Sequence, residues 1–420
     1  MIAAAEAQDL ILRETVVLGP KTISLRDSLG GYLFHPVISP SALPPFDNSA
    51  MDGFALRSSD TKGASGHQPV PLKVVGTTAA GDLPLSIQSD EAVRIMTGAP
   101  IPSGADTVVP FEETLETPGC CLIQKTPDMG QHIRRAGEDV AKGSELLKSG
   151  DKITSRTVAL LAAVGIDRVE VYQKPRVCVL STGSELVDVG AGSPRPGTDT
   201  APLQPGQIYN SNGPALEMAL QELGIAAQVL KTANDTEGSL EKSLRDHLDV
   251  DVWITVGGVS AGDFDLVPKV LQKLGTKILF HKVAIKPGKP LLFATYAKGE
   301  HGGSPLHIFA LPGNPVSALV VFDQFVRPAL LKMMGSNLPY RSRKTAVAIE
   351  DLKGSEGKED YLRGIATYRD GRYEVRSAGS QGSARLLPLA LANVTIIIPS
   401  SVKKVTAGEK VEIEFFQEKL

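Results

Sequence analysis

The chain has 420 residues, 42% of them apolar and 22% charged, with a net charge of −3. That balance excludes a disordered chain and the broad basic field that sequence-independent DNA binding requires. At roughly 100–200 residues per domain, the length predicts two to four units.

Three cysteines (Cys120, Cys121 and Cys178), two of them adjacent, fit a reducing compartment better than a disulfide framework. The start Met1-Ile2-Ala3-Ala4-Ala5-Glu6 lacks the basic flank of a secretory signal. No apolar run reaches the ~18 residues of a membrane span. A soluble, cytoplasmic protein without membrane or nucleic-acid partners is expected.

Residues 3–18 predict a helix stopped by Gly19-Pro20, and Ser24 is placed to cap a short helix ending at Gly30-Gly31. The Pro- and Ser-rich stretch 36–46 marks an exit from the first unit. Alternating segments at 70–75 and 92–96, punctuated by Gly81-Asp82 and Gly98-Ala99-Pro100, predict a β-rich unit over 45–136. Thr154 or Ser155 caps a helix running to Val164, with Gly165 as its stop. The flanks 1–44 and 137–174 are alike in character. They read as one discontinuous helical and extended domain into which the β-rich unit is inserted.

From 175 to 333 the pattern becomes strand, loop, helix, repeated. Strands are predicted at 177–180, 226–230, 251–256, 278–285 and 307–311, and helices at 212–223, 239–247, 266–274 and 316–334. Such alternation predicts a doubly wound α/β domain, with a parallel sheet covered on both faces. Residues 334–420 return to short strands (346–350, 373–375, 394–398, 410–415), predicting a β-rich, barrel-like C-terminal domain.

In an open α/β sheet, ligands bind beyond the carboxyl ends of the strands. Four such ends carry small, polar or acidic residues: Ser181-Thr182-Gly183-Ser184-Glu185, Thr232-Ala233-Asn234-Asp235, Gly257-Gly258-Val259-Ser260-Ala261-Gly262-Asp263-Phe264-Asp265 and Pro312-Gly313-Asn314-Pro315. Gly257, Gly258 and Gly262 allow backbone to approach a phosphate closely. Taken alone, the same loop reads equally as a turn with Asp263 capping a helix. It has neither a Walker lysine nor GxGxxG spacing, which argues against P-loop and Rossmann sites. Glu185, Asp235 and Asp265 are hard oxygen donors suited to Mg²⁺ bridging phosphate, not to zinc. Each of these carboxylates singly also reads as a cap or a solvated loop charge. In His281-Lys282-Val283-Ala284-Ile285-Lys286-Pro287, the strand period of two puts Lys282 and Lys286 on one face. Pro287 holds Lys286 extended, and the lysine pair favours an anion site over two solvated ammoniums.

The β-rich unit opens with Phe46-Asp47-Asn48-Ser49-Ala50-Met51-Asp52-Gly53. Asp47, Asn48 and Ser49 suit a tight turn, whereas an apolar Met beside Asp52-Gly53 does not. With this motif in view the chain resembles the molybdopterin molybdenumtransferase family, which includes the E domain of gephyrin. Ser181-Thr182-Gly183-Ser184-Glu185-Leu186, the 257–265 loop, Ala284-Ile285-Lys286-Pro287-Gly288-Lys289-Pro290 and Leu311-Pro312-Gly313-Asn314-Pro315-Val316-Ser317-Ala318 follow in the family's order. The likeness spans essentially the whole chain.

That resemblance implies an elongated homodimer of four-domain subunits, whose third domain (175–333) resembles the molybdopterin adenylyltransferases. It implies insertion of molybdate into adenylylated molybdopterin, releasing AMP and molybdenum cofactor, with Mg²⁺ or a similar divalent cation. By motif, it implies catalytic roles for Asp52, Asp139, Glu185, Asp235, Asp265 and Lys286, with Glu185, Asp235 and Asp265 on the metal. Substrate contacts would fall to Thr97, Ser181, Gly183, Gly257, Gly258, Ser260, Gly262, Lys282, Pro312, Asn314, Pro315, Arg363 and Ser383. Lys282, Lys286, Arg363 and Ser383 are expected around the molybdate dianion, Arg363 supplying a planar donor fork. Asp52 and Asp139 lie outside the α/β domain, so closure across a domain or subunit boundary is expected to complete the site. An adenylyltransferase and acceptor molybdoenzymes are the implied protein partners.

The departures are modest. Asn234 precedes Asp235 where the family commonly has two acids, and 190–206 and 298–305 look like insertions. A rival reading, an adenylyltransferase using 175–333 alone, is opposed by Gly257-Gly258-Val259-Ser260, which departs from Gly-Gly-Thr-Gly. A gephyrin-like scaffold would require an additional partner module.

Overall fold

A computed structural model describes residues 1–189, 203–230, 232, 236–259, 266–297 and 304–416. Alternation along its central strands decides where the cores lie. In strand Val177–Ser181, Val177 and Val179 face one side with Val252 and Ile254 of strand Val252–Val256, while Cys178, Leu180 and Trp253 face the other. All are buried, so both faces need cover. Helices Asn212–Glu222 and Pro315–Val321 cover the first face through Leu216, Leu220, Val316 and Val320. Helices Glu237–Asp246 and Leu266–Lys273 cover the second through Leu240, Leu244, Val267 and Val270.

The strand order is Ala227–Val229, Val177–Ser181, Val252–Val256, Leu306–Leu311, Leu292–Tyr296, Lys277–His281. The first four are parallel, and Leu292–Tyr296 runs antiparallel to them and to Lys277–His281 beyond it, so the sheet is mixed where a parallel one was expected. Strand Leu292–Tyr296 escapes the sequence pattern because Pro287, Gly288 and Pro290 just before it read as turn residues.

The expected helix 316–334 forms as helix Pro315–Val321, a π-turn Phe322–Val326 and helix Arg327–Met333. The cause is Pro328, which has no N–H to offer the Gln324 carbonyl four residues earlier. That carbonyl instead accepts from Gln8 Nε2 at 3.1 Å. Gln8 belongs to helix Ala4–Glu14, which buries Ala4, Ala7 and Ile11 in the core shared with this rod. The N-terminal helix stops earlier than residue 18 because Thr15-Val16-Val17 is β-branched and already extended at Thr15.

Strand Pro20–Ser24 pairs with Arg168–Tyr172 across the intervening sequence, and Leu25, Leu33, Ile153, Leu161, Val169 and Val171 share one core. Ser24 caps a 3-10 turn, and Thr154 caps helix Ser155–Ala163 with a reciprocal bond to Thr157. Between these segments lies a six-stranded sheet in the order Thr107–Pro110, Gly53–Leu56, Glu91–Ile95, Val70–Thr78, Cys120–Ile123, Thr114–Thr117.

Toward the C-terminus five strands close on themselves. Glu359–Arg369 pairs with Arg372–Ser377 and Val394–Ile398, Val394–Ile398 with Lys410–Phe415, and Arg343–Ala348 joins Lys410–Phe415 to Arg372–Ser377. Closure leaves no free edge within the barrel.

Candidate active site

The barrel accepts one strand from outside. Strand Lys277–His281 ends where Lys282 turns to a φ of 77°, its N–H donating to the Leu291 carbonyl at 2.8 Å. The chain then re-enters as Ile285–Lys286, parallel to Glu359–Asp360 of the barrel. Lys282 thus lies past the end of a central-sheet strand while Lys286 pairs with the barrel, and the expectation that one strand presents both on one face is overturned. The positive φ at Lys282 breaks the period of two. The Lys286–Pro287 peptide is cis.

Lys286 lines a cavity of about 460 Å³ together with Pro287, Asp360, Arg363, Gln381 and Gly382. Arg363 is only 1% exposed. Its Nη2 donates to the Gly382 carbonyl at 3.2 Å, but Nε and Nη1 have no partner among the described residues. Burial lowers its pKa. A buried guanidinium with idle donors is costly unless an anion completes its bonds. Gln381 pins the Arg363 backbone from both sides, accepting from its N–H at 2.9 Å and donating to its carbonyl at 3.0 Å. Ser383 Oγ accepts from Asn314 Nδ2 at 3.1 Å, and its carbonyl accepts from the Val316 N–H at 3.2 Å. The barrel segment 381–383 is thereby tied to the Pro312-Gly313-Asn314-Pro315 strand end.

The neighbouring strand ends interlock. Gly257 has a φ of 100°, and a Cβ there would meet the Thr182 carbonyl oxygen at 2.6 Å, so only glycine fits. The Thr182 N–H donates to the Val256 carbonyl at 2.9 Å, and Asn212 Nδ2 to the Gly313 carbonyl at 2.7 Å. Ser181 Oγ and Asn212 Oδ1 are buried without a partner among the described residues. Beside them Thr232 Oγ1 donates to Asp188 at 2.7 Å and Asn210 Nδ2 donates to the same carboxylate oxygen at 3.0 Å. Glu185 is exposed, and its carboxylate curls against Gly183. Asp235, Ser260, Gly262 and Asp265 lie outside the described residues.

A second cluster sits on the inserted sheet. Gly53 pairs with Ile95 in an antiparallel register, which brings the residue before one strand against the loop after the other. Asp52 accepts from the Thr97 N–H at 2.7 Å and from its hydroxyl at 2.9 Å. Those bonds hold the exposed Asp52 carboxyl below its ordinary pKa. Gly53 is obligatory because a Cβ would lie 2.0 Å from the Val109 carbonyl oxygen. Asp47 closes the base of the insert, accepting from the Arg135 guanidinium at 2.6 Å and the Ala136 N–H at 2.8 Å. Asp139 is exposed on the returning segment. Asp52, Thr97, Asp139, Lys282 and Ser383 do not line the 460 Å³ cavity.

Cys121 and Cys178 are free and buried, and burial pushes both thiols up to about 12. Neither is poised as a nucleophile or metal ligand. Among the described residues no group of three or more His, Cys, Asp or Glu is arranged to hold a metal, and no helix is long and apolar enough to cross a membrane. Asp188, Asn210, Ser355, Asp360 and Gln381 escape the sequence reading. Their partners lie up to 69 residues away or on other elements, so no local spacing marks them.

Comparison with known proteins covers all of these elements. A profile of the MoeA N-terminal region (domain I and II) matches residues 2–165. One of a probable molybdopterin binding domain matches 178–332, and one of the MoeA C-terminal region (domain IV) matches 345–416. Molybdopterin molybdenumtransferase 2 of Mycobacterium tuberculosis is 39% identical over 98% of this chain and 99% of its own length. Molybdopterin molybdenumtransferase of Haemophilus influenzae is 39% identical over 94% of this chain and 93% of its own. The crystal structure of a molybdopterin biosynthesis MoeA protein from Pyrococcus horikosii superposes with a TM-score of 0.79 at 32% identity, covering 99% of both chains.

Proposed function

The chain belongs to the molybdopterin molybdenumtransferase family, and on that footing we propose that the barrel cavity bordered by Lys286 is where molybdate is held for transfer to the pterin. The protein is a transferase of molybdenum cofactor biosynthesis, and its substrates are small molecules. The observation that carries the site assignment is Arg363: a buried cation with two nitrogens unpartnered among the described residues, lining a cavity that Lys286 also lines. Molybdate is a compact dianion, and a planar guanidinium fork with an ammonium beside it suits its oxygens.

Adenylylated molybdopterin lies along the interlocked strand ends in this reading. Gly183, Gly257, Gly258, Pro312, Asn314 and Pro315 supply close backbone approach, and the Ser181 hydroxyl, without a partner among the described residues, offers a bond to the pterin. By motif Ser260, Gly262 and Lys282 join them, and Ser383 links the Asn314 strand end to the barrel. Glu185 with Asp235 and Asp265 forms an oxygen-only donor set suited to Mg²⁺, which would supply charge neutralisation on the phosphate as AMP leaves. The chain's own work is to orient the dithiolate toward the oxyanion and to exclude water around Arg363.

Asp52, Thr97 and Asp139 complete the site from outside the cavity. Their exposure supports a homodimer in which a second copy brings them close. The reading includes a cytoplasmic setting, receipt of substrate from a molybdopterin adenylyltransferase and delivery to molybdoenzymes.

The test supplies purified protein with adenylylated molybdopterin and Mg²⁺, with and without molybdate. AMP release that depends on molybdate, with molybdenum appearing on the pterin, is the expected result. Formation of adenylylated pterin from ATP without molybdate would replace this reading with an adenylyltransferase. Asp265→Asn and Lys286→Ala should each lower molybdate-dependent turnover while leaving the fold intact.

A further inference from the structure

Asp360 is a fully buried carboxylate that none of the steps above uses. It accepts from the Ser355 N–H at 2.6 Å and from the Ser355 hydroxyl at 3.1 Å. Lys286 Nζ donates to that same hydroxyl at 3.0 Å and lies 3.9 Å from Asp360. A hydroxyl carries one proton. With it directed to Asp360, the oxygen lone pairs face the ammonium, so the bonds run one way from Lys286 through Ser355 to Asp360.

The supports of this chain are themselves fixed. The turn carrying Ser355 is held by Gly354 N–H to the Lys403 carbonyl at 2.9 Å and Gly357 N–H to the Ser400 carbonyl at 3.0 Å. Asp360 stands opposite Lys286 in the parallel pair and opposite Ile398 in the antiparallel one. Lys286 is 55% exposed and Asp360 1%, so a long, exposed side chain is tethered to a buried one. Burial pushes the Asp360 carboxyl up, while Ser355, Lys286 and Lys358 pull it down. A carboxylate beside an oxyanion site repels the ligand, and placing one there makes sense if its role is to orient the cation.

We propose that Asp360, acting through Ser355, is a positioning residue that sets the Lys286 ammonium at the mouth of the molybdate cavity. The inference rests on the cavity being the molybdate site. It makes the affinity for oxyanion, not for pterin, depend on a carboxylate and a hydroxyl that act through Lys286.

Steady-state kinetics on the full chain, varying molybdate and adenylylated molybdopterin separately, tests it. Asp360→Asn keeps the shape and removes the charge, and Ser355→Ala removes the relay. Each is expected to raise the KM for molybdate by roughly 3- to 30-fold with the pterin KM within about twofold of wild type. Combined with Lys286→Ala, neither should add a further loss, because the interaction is already gone. Losses that multiply in the double variants, or equal rises in both KM values, overturn the positioning role. An unchanged molybdate KM in Lys286→Ala alone also overturns it, and shows that the cavity assignment is what failed. Should Asp360→Asn not fold, Ser355→Ala decides alone, since backbone bonds from Gly354 and Gly357 keep its turn in place.

Discussion

On barrel strand Glu359–Arg369, Arg363 is buried with two nitrogens that have no partner among the described residues. On the inserted sheet, Asp52 is open to solvent and already accepts two bonds from Thr97. The first region stores unused bonding capacity in a dry place, where an arriving oxyanion gains most. The second is satisfied locally, so in the proposed reading its carboxylate acquires chemistry only when another surface closes on it. The two aspartates sharpen the contrast. Burial raises the pKa of Asp360, whereas hydrogen bonds lower that of Asp52.

If the buried region is the anion site, Arg363→Ala should show the largest effect, lowering molybdate-dependent turnover by about 100- to 1,000-fold. Arg363→Lys should recover little of it, because a point charge lacks the planar fork; a fully active lysine variant would break the comparison at its strongest point. Lys286→Ala should reduce kcat/KM for molybdate by about 10- to 100-fold, as expected for one charged hydrogen bond.

Gly257→Ala tests the framework instead of the ligands. The positive φ and the Thr182 carbonyl should cost about 1–3 kcal/mol, read as a lower denaturation midpoint. On the inserted sheet, Thr97→Val should slow turnover by roughly two- to tenfold while leaving the melting temperature nearly unchanged. Equal losses of activity and stability would mean that Asp52 only holds a loop.

The smallest effect is in acid titration. Asp52 has a depressed folded pKa, so its bonds to Thr97 are complete above the ordinary carboxylate range near pH 4. They are lost as pH falls through the depressed value. Asp360 has a raised folded pKa and faces Ser355, Lys286 and Lys358. It takes up its proton first, and its own contribution favours the folded state as pH falls. Amide shifts of Thr97 and Ser355 followed by NMR should therefore move at separate pH values, Ser355 at the higher one.

Much of this was legible in the sequence. The helix cap at Thr154, the strand and helix alternation over 177–333 and the glycines at the strand ends follow from local rules of spacing and φ. The π-turn was not legible, because Pro328 matters only once Gln8 arrives to take the Gln324 carbonyl. Nor was the break at Lys282, since His281 through Lys286 has the periodicity of one strand.

The sequence by itself determined most of the element types, the family motifs and which residues were chemically able to hold an oxyanion. Tertiary structure alone decided that Lys286 leaves the central sheet for the barrel, that Arg363 is buried with idle donors, and that Ser355 and Asp360 stand behind Lys286. The physical reason is range. Backbone propensity and alternation act over a few residues, whereas desolvation and hydrogen-bond satisfaction depend on segments that meet only after the sheets have formed.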